Sequence, residues 1–337
     1  MALEITTVSD NAAVAFDGTE VETMEGLEPG RRYRFGEEEF ATLLRPAGLR
    51  LATVATVNDL HFGEVQAGHL EGLDVGSAIS VAEGEDPYPQ VMNAAAAAEI
   101  AQLAPDLVVA KGDLTSGARP EELEAFLACY RSAFGERLCF TLGNHDKPAS
   151  GPVVPCPPVA EFSVPGAVIA LLDTARPGQG GGFLDAGQLE WLDELGARAQ
   201  QQVLVFGHHP VWEAGVDDWL DAASAIDPGD SVKLIEVFAR RRSLSGYFAG
   251  HTHRNRVRHF PVTGAVPFAE VACVKDFPGS WAEYRVFEGG VLQIHHRIAA
   301  PQALNWSERC RSLFFGLYPK YAFGAISDRC FVINKRE

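Results

Sequence analysis

The chain has 337 residues, 47% of them hydrophobic and 22% charged, the balance of a folded globular protein rather than a disordered or fibrous one. Its formal charge of −17 argues against nucleic acid held on a broad basic surface. A small phosphate ester remains compatible, because bound metal ions would reverse the local potential.

In chain order, Met1 to Asp10 lacks a basic region followed by an apolar one, and no later window approaches the roughly 18 apolar residues of a membrane span, so a cytoplasmic location with no membrane partner is expected. Residues 1–47 read as a small β-rich appendage with a turn at Glu28-Pro29-Gly30; the run from Gly26 to Phe35, then Phe40 to Leu43, resembles the end of a fibronectin type III module. From Leu49, short apolar runs of buried-strand length alternate with helical segments. The strands are Leu51 to Val57, Leu107 to Ala110, Leu138 to Leu142, Val168 to Leu172, Val203 to Phe206 and Gly246 to Ala249. The helices are Tyr88 to Leu103, Pro120 to Phe134, Ala186 to Gln200 and Val232 to Arg242, the last closing on Arg240-Arg241-Arg242, where cations favour the dipole. This alternation predicts a layered α/β domain over 48–299. Phe268 to Val274, Trp281 to Phe287 and Val291 to Ile298, the last two joined as a hairpin at Glu288-Gly289-Gly290, suggest a second, more antiparallel sheet. His295 and His296 in that hairpin are expected at the surface. Residues 300–337 form an aromatic-rich extension expected to cover the core or a partner subunit. The six cysteines form no C-x-x-C pair and are read as free thiols, a Cys310–Cys330 bridge being the alternative.

The strand ends carry the chemistry. In order they present Asp59-Leu60-His61, Gly112-Asp113, Gly143-Asn144-His145-Asp146, His208-His209-Pro210 and Gly250-His251-Thr252-His253. Ligands of open α/β sheets bind beyond the carboxyl ends of strands, so five sequence-distant loops can meet there. Imidazole suits zinc, iron and manganese, and a carboxylate can bridge two cations. In D-x-H and H-x-H an extended chain puts both side chains on one side. The glycines before Asp113, Asn144 and His251 permit unusual backbone angles or close approach.

These motifs resemble the calcineurin-like metallophosphoesterase family, whose pattern is D-x-H, GD, GNH[DE], a later His, and GHxH; the likeness spans roughly 49–298. Within the family the chain looks most like bacterial class III cyclic-nucleotide phosphodiesterases and glycerophosphodiesterases, through Leu172-Asp173-Thr174, Gly182 to Asp185, Gln188 to Leu192 and His208-His209-Pro210. The resemblance implies a four-layer α-β-β-α sandwich of two packed mixed sheets. It implies two metal ions (Mn²⁺, Fe²⁺/Fe³⁺ or Zn²⁺), with Asp59, His61 and His253 on one, Asn144, His208 and His251 on the other, and Asp113 between them. A metal-bridging hydroxide would attack a small phosphodiester, most readily a 3′,5′-cyclic nucleotide. Asn144 and His145 would meet the substrate, His145 would act as acid toward the leaving oxygen, and Asp146 would orient it. His209 would either touch the substrate or make a supporting hydrogen bond. A glycerophosphodiesterase or broad phosphoesterase is the alternative, a nuclease or non-catalytic scaffold the remoter ones, and relatives often pair as homodimers. Two positions depart from the family, Asn58 for Ser or Thr, and Lys111 before Gly112-Asp113, where the amine is expected to point to solvent, the alternative being to reach an acid behind the ligands.

Overall fold

The computed structural model describes residues 3–69, 74–213 and 223–336. An N-terminal three-stranded antiparallel sheet is built from β1 (Glu4–Val8), β2 (Ala12–Asp17) and β3 (Glu20–Glu25), followed by a hairpin of β4 (Arg32–Phe35) and β5 (Glu38–Ala41). Strand and helix then alternate: β6 (Arg50–Val57), α1 (Tyr88–Gln102), β7 (Leu107–Lys111), α2 (Pro120–Phe126), β8 (Leu138–Thr141), β9 (Val159–Val164), β10 (Ala167–Leu172), α3 (Ala186–Arg198), β11 (Gln202–Phe206), α4 (Pro228–Arg240) and β12 (Leu244–Ala249). The rest comprises β13 (Arg256–Arg258), β14 (Phe268–Glu270), β15 (Ser280–Phe287), β16 (Gly290–Arg297), α5 (Pro301–Arg309), α6 (Tyr318–Ala322), α7 (Ile326–Arg329) and β17 (Phe331–Asn334). The predicted helix from Pro120 to Phe134 runs through a π turn at Leu127–Arg131.

Two six-stranded mixed sheets result, ordered β17-β16-β15-β6-β7-β8 and β13-β14-β12-β11-β10-β9. Alternation along each strand separates three apolar layers. Ala55, Val57, Val108 and Ala110 face Met92 and Ile100 of α1, whereas their neighbours Ala52, Val54, Leu107 and Val109 turn inward to Ile169, Leu171, Leu204 and Phe206 of the second sheet. On its far side that sheet gives Ala170, Leu172, Val203 and Val205 to Leu192 and Leu195 of α3 and Leu234 and Phe238 of α4. This is the expected sandwich of two mixed sheets flanked by helices. The N-terminal strands pack Val8, Ala13 and Ala15 on Phe287, Leu292 and Ile294. In the C-terminal extension, Trp306 of α5 stacks on Tyr88 at 4.1 Å between centroids.

Several expectations need correction. The late strands do not form a separate sheet. β14 pairs in parallel with β12, while β15 and β16 extend the first sheet from β6, each parallel core taking antiparallel edges. Lys111 does not reach solvent: it is fully buried, and its Nζ donates to the carbonyl of Ala249 at 2.8 Å. Burial pushes its amine down to about 7, against the attraction of Asp59. His295 is likewise buried rather than at the surface; only His296 is partly exposed, stacked on Trp281 and bonded to Glu283 at 3.0 Å. Arg240 and Arg241 close α4 by gripping Asp193 of α3 at 2.7 and 2.8 Å. Cys310 and Cys330 are free thiols. No helix of the described residues is long and apolar enough to cross a membrane.

Candidate metal centre

The five motif loops leave the carboxyl ends of β6, β7 and β8 in one sheet and of β11 and β12 in the other, and backbone hydrogen bonds sew them together. Asp59 N donates to Gly112 O (3.1 Å), Leu60 N and His61 N to Asp113 O (2.8 and 2.9 Å), and Gly250 N to His208 O (2.9 Å). Their conformation is unusual. Asp59, His61, Asp113, His251 and His253 all have positive φ, between 46° and 68°, and make up five of the nine such non-glycine residues among those described. Left-handed backbone is disfavoured for side-chain-bearing residues, and such strain gathers at functional sites.

The glycines have steric reasons. A Cβ on Gly143 would lie 2.1 Å from Asp113 Oδ1, and one on Gly112 would lie 2.6 Å from His208 Nδ1. A Cβ on Gly250 would lie 2.8 Å from both Asn58 Cβ and Asp59 Oδ2. Close approach is what these positions require.

The donors form two groups around Asp113. Asp113 Oδ2 lies 3.5 Å from His61 Nε2 and 3.3 Å from His208 Nε2. Asn144 Oδ1 is 3.2 Å from His208 Nε2, and Asp59 Oδ1 is 3.6 Å from His253 Nε2. Two ligands bound tetrahedrally at about 2.1 Å stand roughly 3.4 Å apart, so these spacings fit side chains sharing an ion. Ligand atoms of Asp59, His61 and His253 lie within 4.8 Å of one another, as do those of Asp59, Asp113 and His208, and of His208, His209 and His251. Both ring nitrogens of buried His61 lack a hydrogen-bond partner among the described residues, a costly arrangement without an ion. His208 Nδ1 donates to Lys111 O at 2.8 Å, so Nε2 is the nitrogen turned to Asp113 and the one that would exchange its proton for a cation. Thus the residues present fit a pair of metal ions.

Electrostatics follow the crowding. Burial would raise the Asp113 carboxyl, but His208, His145 and His61 hold it well below the usual range. Burial would lower His208, but Asp113 overrides it and lifts the imidazole to about 9. His251 falls to about 3, through burial and then His208. One buried carboxylate therefore concentrates the positive character at His208.

His145 is the exposed member. Its backbone N–H donates to Asp113 Oδ1 at 2.9 Å and its Nδ1 to Ser116 O at 2.8 Å, so Nε2 is the open nitrogen. Burial lowers the ring, yet Asp113, the Ser116 carbonyl and Glu64 together set it above its ordinary value. Asp146 does not orient it. The fully buried Asp146 carboxylate instead accepts from Leu114 N (3.1 Å), Thr115 N (2.8 Å), Thr115 Oγ1 (2.7 Å) and Gly143 N (2.9 Å), tying the Asp113 loop to the Asn144 loop. His209 is fully buried, with Nδ1 2.9 Å from Thr174 Oγ1 and Nε2 3.1 Å from Gly180 O, the supporting arrangement rather than the substrate-facing one.

Some contacts at the centre escape a reading by motif. Thr174 Oγ1 also accepts from His208 N and His209 N at 3.3 and 3.1 Å. Glu270 accepts from Thr252 Oγ1 at 2.7 Å while gathering Arg254, Arg256 and Arg258. The available signal was the R-x-R-x-R alternation after the last motif, which puts three cations on one strand face above a buried acid.

Asp and His donors converging at the carboxyl ends of two packed mixed sheets make a site of the metal-binding class, with room for a pair of ions. The profile of the calcineurin-like phosphoesterases matches residues 52–255, and the chain belongs to that family, whose members are phosphoric ester hydrolases. A probable cyclic nucleotide phosphodiesterase of Synechococcus is 27% identical over 199 residues, 58% of this chain and 76% of the relative. A cAMP/cGMP dual-specificity phosphodiesterase of Mycobacterium tuberculosis is 30% identical over 162 residues, 45% of this chain and about half (49%) of the relative. Among solved structures, a zebrafish (Danio rerio) dimetal phosphatase superposes with a TM-score of 0.58 at 15% identity, covering 74% of this chain and 97% of that one. A purple acid phosphatase from yellow lupin (Lupinus luteus) gives 0.51 at 13% identity, covering 84% of this chain and 60% of that one. Both likenesses speak for the fold.

Proposed function

We propose that the chain hydrolyses small phosphodiesters, 3′,5′-cyclic nucleotides foremost, at a centre where Asp59, His61 and His253 hold one metal ion, Asn144, His208 and His251 hold the other, and Asp113 bridges them. The position of Asp113 Oδ2 between His61 Nε2 and His208 Nε2 carries the reading. The relatives named as cyclic nucleotide phosphodiesterases support the substrate class. The mixed nitrogen and oxygen donor set suits manganese, iron or zinc.

Two bound cations would supply a nucleophile at neutral pH and neutralise charge on the phosphoryl oxygens. The chain's own residues do the rest. Asn144 presents its amide to a non-bridging oxygen. His145, with Nδ1 fixed on Ser116 O, offers Nε2–H to the leaving oxygen and gives up its proton as the ester bond breaks. Asp146 keeps the Asp113 and Asn144 loops in register, and His209 and Thr174 brace the strand end that carries His208.

Metal-defined enzyme given a chromogenic diester, cAMP, cGMP, a glycerophosphodiester and a phosphomonoester tests both levels. The expected outcome is metal-dependent hydrolysis with cyclic nucleotides preferred. Absence of metal-dependent turnover on every ester refutes the reaction, and preference for the glycerophosphodiester refutes the substrate class. His145→Ala should keep both metals yet lose about 100-fold to 10,000-fold in turnover; unchanged turnover would remove its acid role.

A further inference from the structure

His253 has a distinctive environment behind its ring. His208 and His145 each give Nδ1 to a backbone carbonyl, but His253 turns Nε2 to Asp59 and Nδ1 to the carboxylate of Asp276, 3.9 Å from Oδ2. Asp276 is 2% exposed and held from several directions. Its Oδ1 accepts from Tyr318 OH at 2.6 Å and Cys273 Sγ at 2.7 Å, and its Oδ2 meets Lys275 Nζ at 3.0 Å. Lys275, itself buried, reaches Glu64 at 2.7 Å, and Glu64 accepts from Tyr88 OH at 2.5 Å. One ammonium thus serves two carboxylates inside the protein, an arrangement that fixes the Asp276 side chain.

The same region ties the C-terminal extension to the motif loop. Tyr321 OH donates to Thr252 O at 3.0 Å, between His251 and His253. Ala322 O accepts from Asn255 N at 2.9 Å. Asp276, Tyr318 and Tyr321 all lie outside residues 52–255, where the family profile matches.

We propose that Asp276 is a positioning residue for His253 and that α6, through Tyr318 and Tyr321, is part of the framework that holds the His251-Thr252-His253 loop at its metal. The inference rests on the ligand assignment proposed above. An imidazole that binds a cation through one nitrogen keeps a single N–H on the other. A carboxylate behind that N–H fixes the ring and raises its basicity, and loss of such a partner typically costs about 10-fold to 100-fold in metal affinity. Closing 3.9 Å to a hydrogen bond asks for a shift of only about 1 Å.

The test is Mn²⁺ binding to chelator-stripped protein, followed by calorimetry and metal analysis, for wild type, Asp276→Asn and Tyr318→Phe, with circular dichroism to establish that each is folded. Wild type is expected to take up two equivalents. Folded Asp276→Asn should bind one as wild type does and the other about 10-fold to 100-fold more weakly. Tyr318→Phe, which removes only a hydroxyl, should weaken the same equivalent by about 2-fold to 10-fold and decides the matter alone if Asp276→Asn does not fold. Two wild-type equivalents in either folded variant, or equal weakening of both, overturns the proposal, because a general loss of packing would not single out the ion on His253. Wild-type protein that binds fewer than two equivalents overturns the dinuclear reading itself, a result distinct from failure of the variants.

Discussion

Replacing Gly112 by alanine puts the steric account of the centre to its hardest test. Gly112 has φ +88°, and an added Cβ would lie 2.6 Å from His208 Nδ1 and 2.7 Å from the backbone nitrogen of Gly143. Ordinary contact begins near 3.4 Å, so the two neighbours would have to retreat by about 0.8 and 0.7 Å. Neither is free to do so: Gly143 N is bonded to Asp146 and His208 Nδ1 to Lys111 O. A side chain in left-handed backbone costs about 1–2 kcal/mol, and overpacking a rigid site about 1–3 kcal/mol, giving roughly 2–5 kcal/mol. With about 2.1 cal/mol/K of unfolding entropy per residue over 337 residues, Tm should drop by roughly 3–7 °C. The assay is thermal unfolding in chelator, with Gly229→Ala as control. Gly229 sits in the first turn of α4, and a Cβ there meets nothing within 4 Å, so that change should be neutral or raise Tm. Equal melting of Gly112→Ala and wild type would refute the close approach at His208.

The remaining predictions concern charge and packing away from direct ion contact. Burial opposes ionisation of Glu283, but His296 and Arg285 outweigh it and draw the carboxyl down to about 2. A depressed folded value means stability present above the ordinary carboxylate range and lost as pH falls from about 5 to 2, worth roughly 3 kcal/mol; Glu283→Gln should flatten that acid limb in denaturant titrations. Lys111→Met keeps the volume and removes only the amine's bond to Ala249 O, which still accepts from Val271 N, so chemical unfolding should show a loss of about 1 kcal/mol, whereas Lys111→Ala, which adds a cavity, should lose about 2–5 kcal/mol. Leu204 lies between the sheets, and Leu195 is on α3 where it packs on the outer face of the second sheet. Truncation of either to alanine should cost about 2–5 kcal/mol, but only Leu204→Ala should also weaken metal uptake measured well below its Tm; parity between the two would separate the centre from the sheet seam.

The chemistry was legible because it is local. D-x-H, GD, GNHD and GHTH each put their donors within four residues, the last three with a permissive glycine in front, and the apolar runs before them are strands in the structure. What sequence could not assign was long-range. β6 to β8 and β10 to β12 are apolar on both faces, so periodicity does not tell one sheet from the other, and the late strands were free to join either. Lys111 and His295 were placed by the average habits of their residue types, whereas interior strands left them no route to water. Asp146 follows His145 in sequence, yet the turn carries its carboxylate back to Gly143 and Thr115.

That division of strands explains why the site needs so much local bracing. Asp59, His61, Asp113 and Asn144 come from the first sheet, and His208, His251 and His253 from the second, so the expected ligand set straddles the interface between two sheets. A pair of ions bound there would draw both sheets to one distance, and the relative position of the halves would set the affinity. Left-handed backbone at five of these residues aims their side chains at that interface, and one amide bonds across it, His251 N to Asp59 Oδ2 at 3.0 Å. The cost of such conformations is about 1–3 kcal/mol each, and it persists only where surrounding contacts over-determine it. Here those contacts are the four donors on Asp146, the Lys111 bond to Ala249 O that crosses from β7 to β12, and the Tyr321 bond to Thr252 O. Lys111 therefore belongs to the centre's framework, although its chemistry never touches an ion: its amine closes the sheets from the inside, and its carbonyl sets His208.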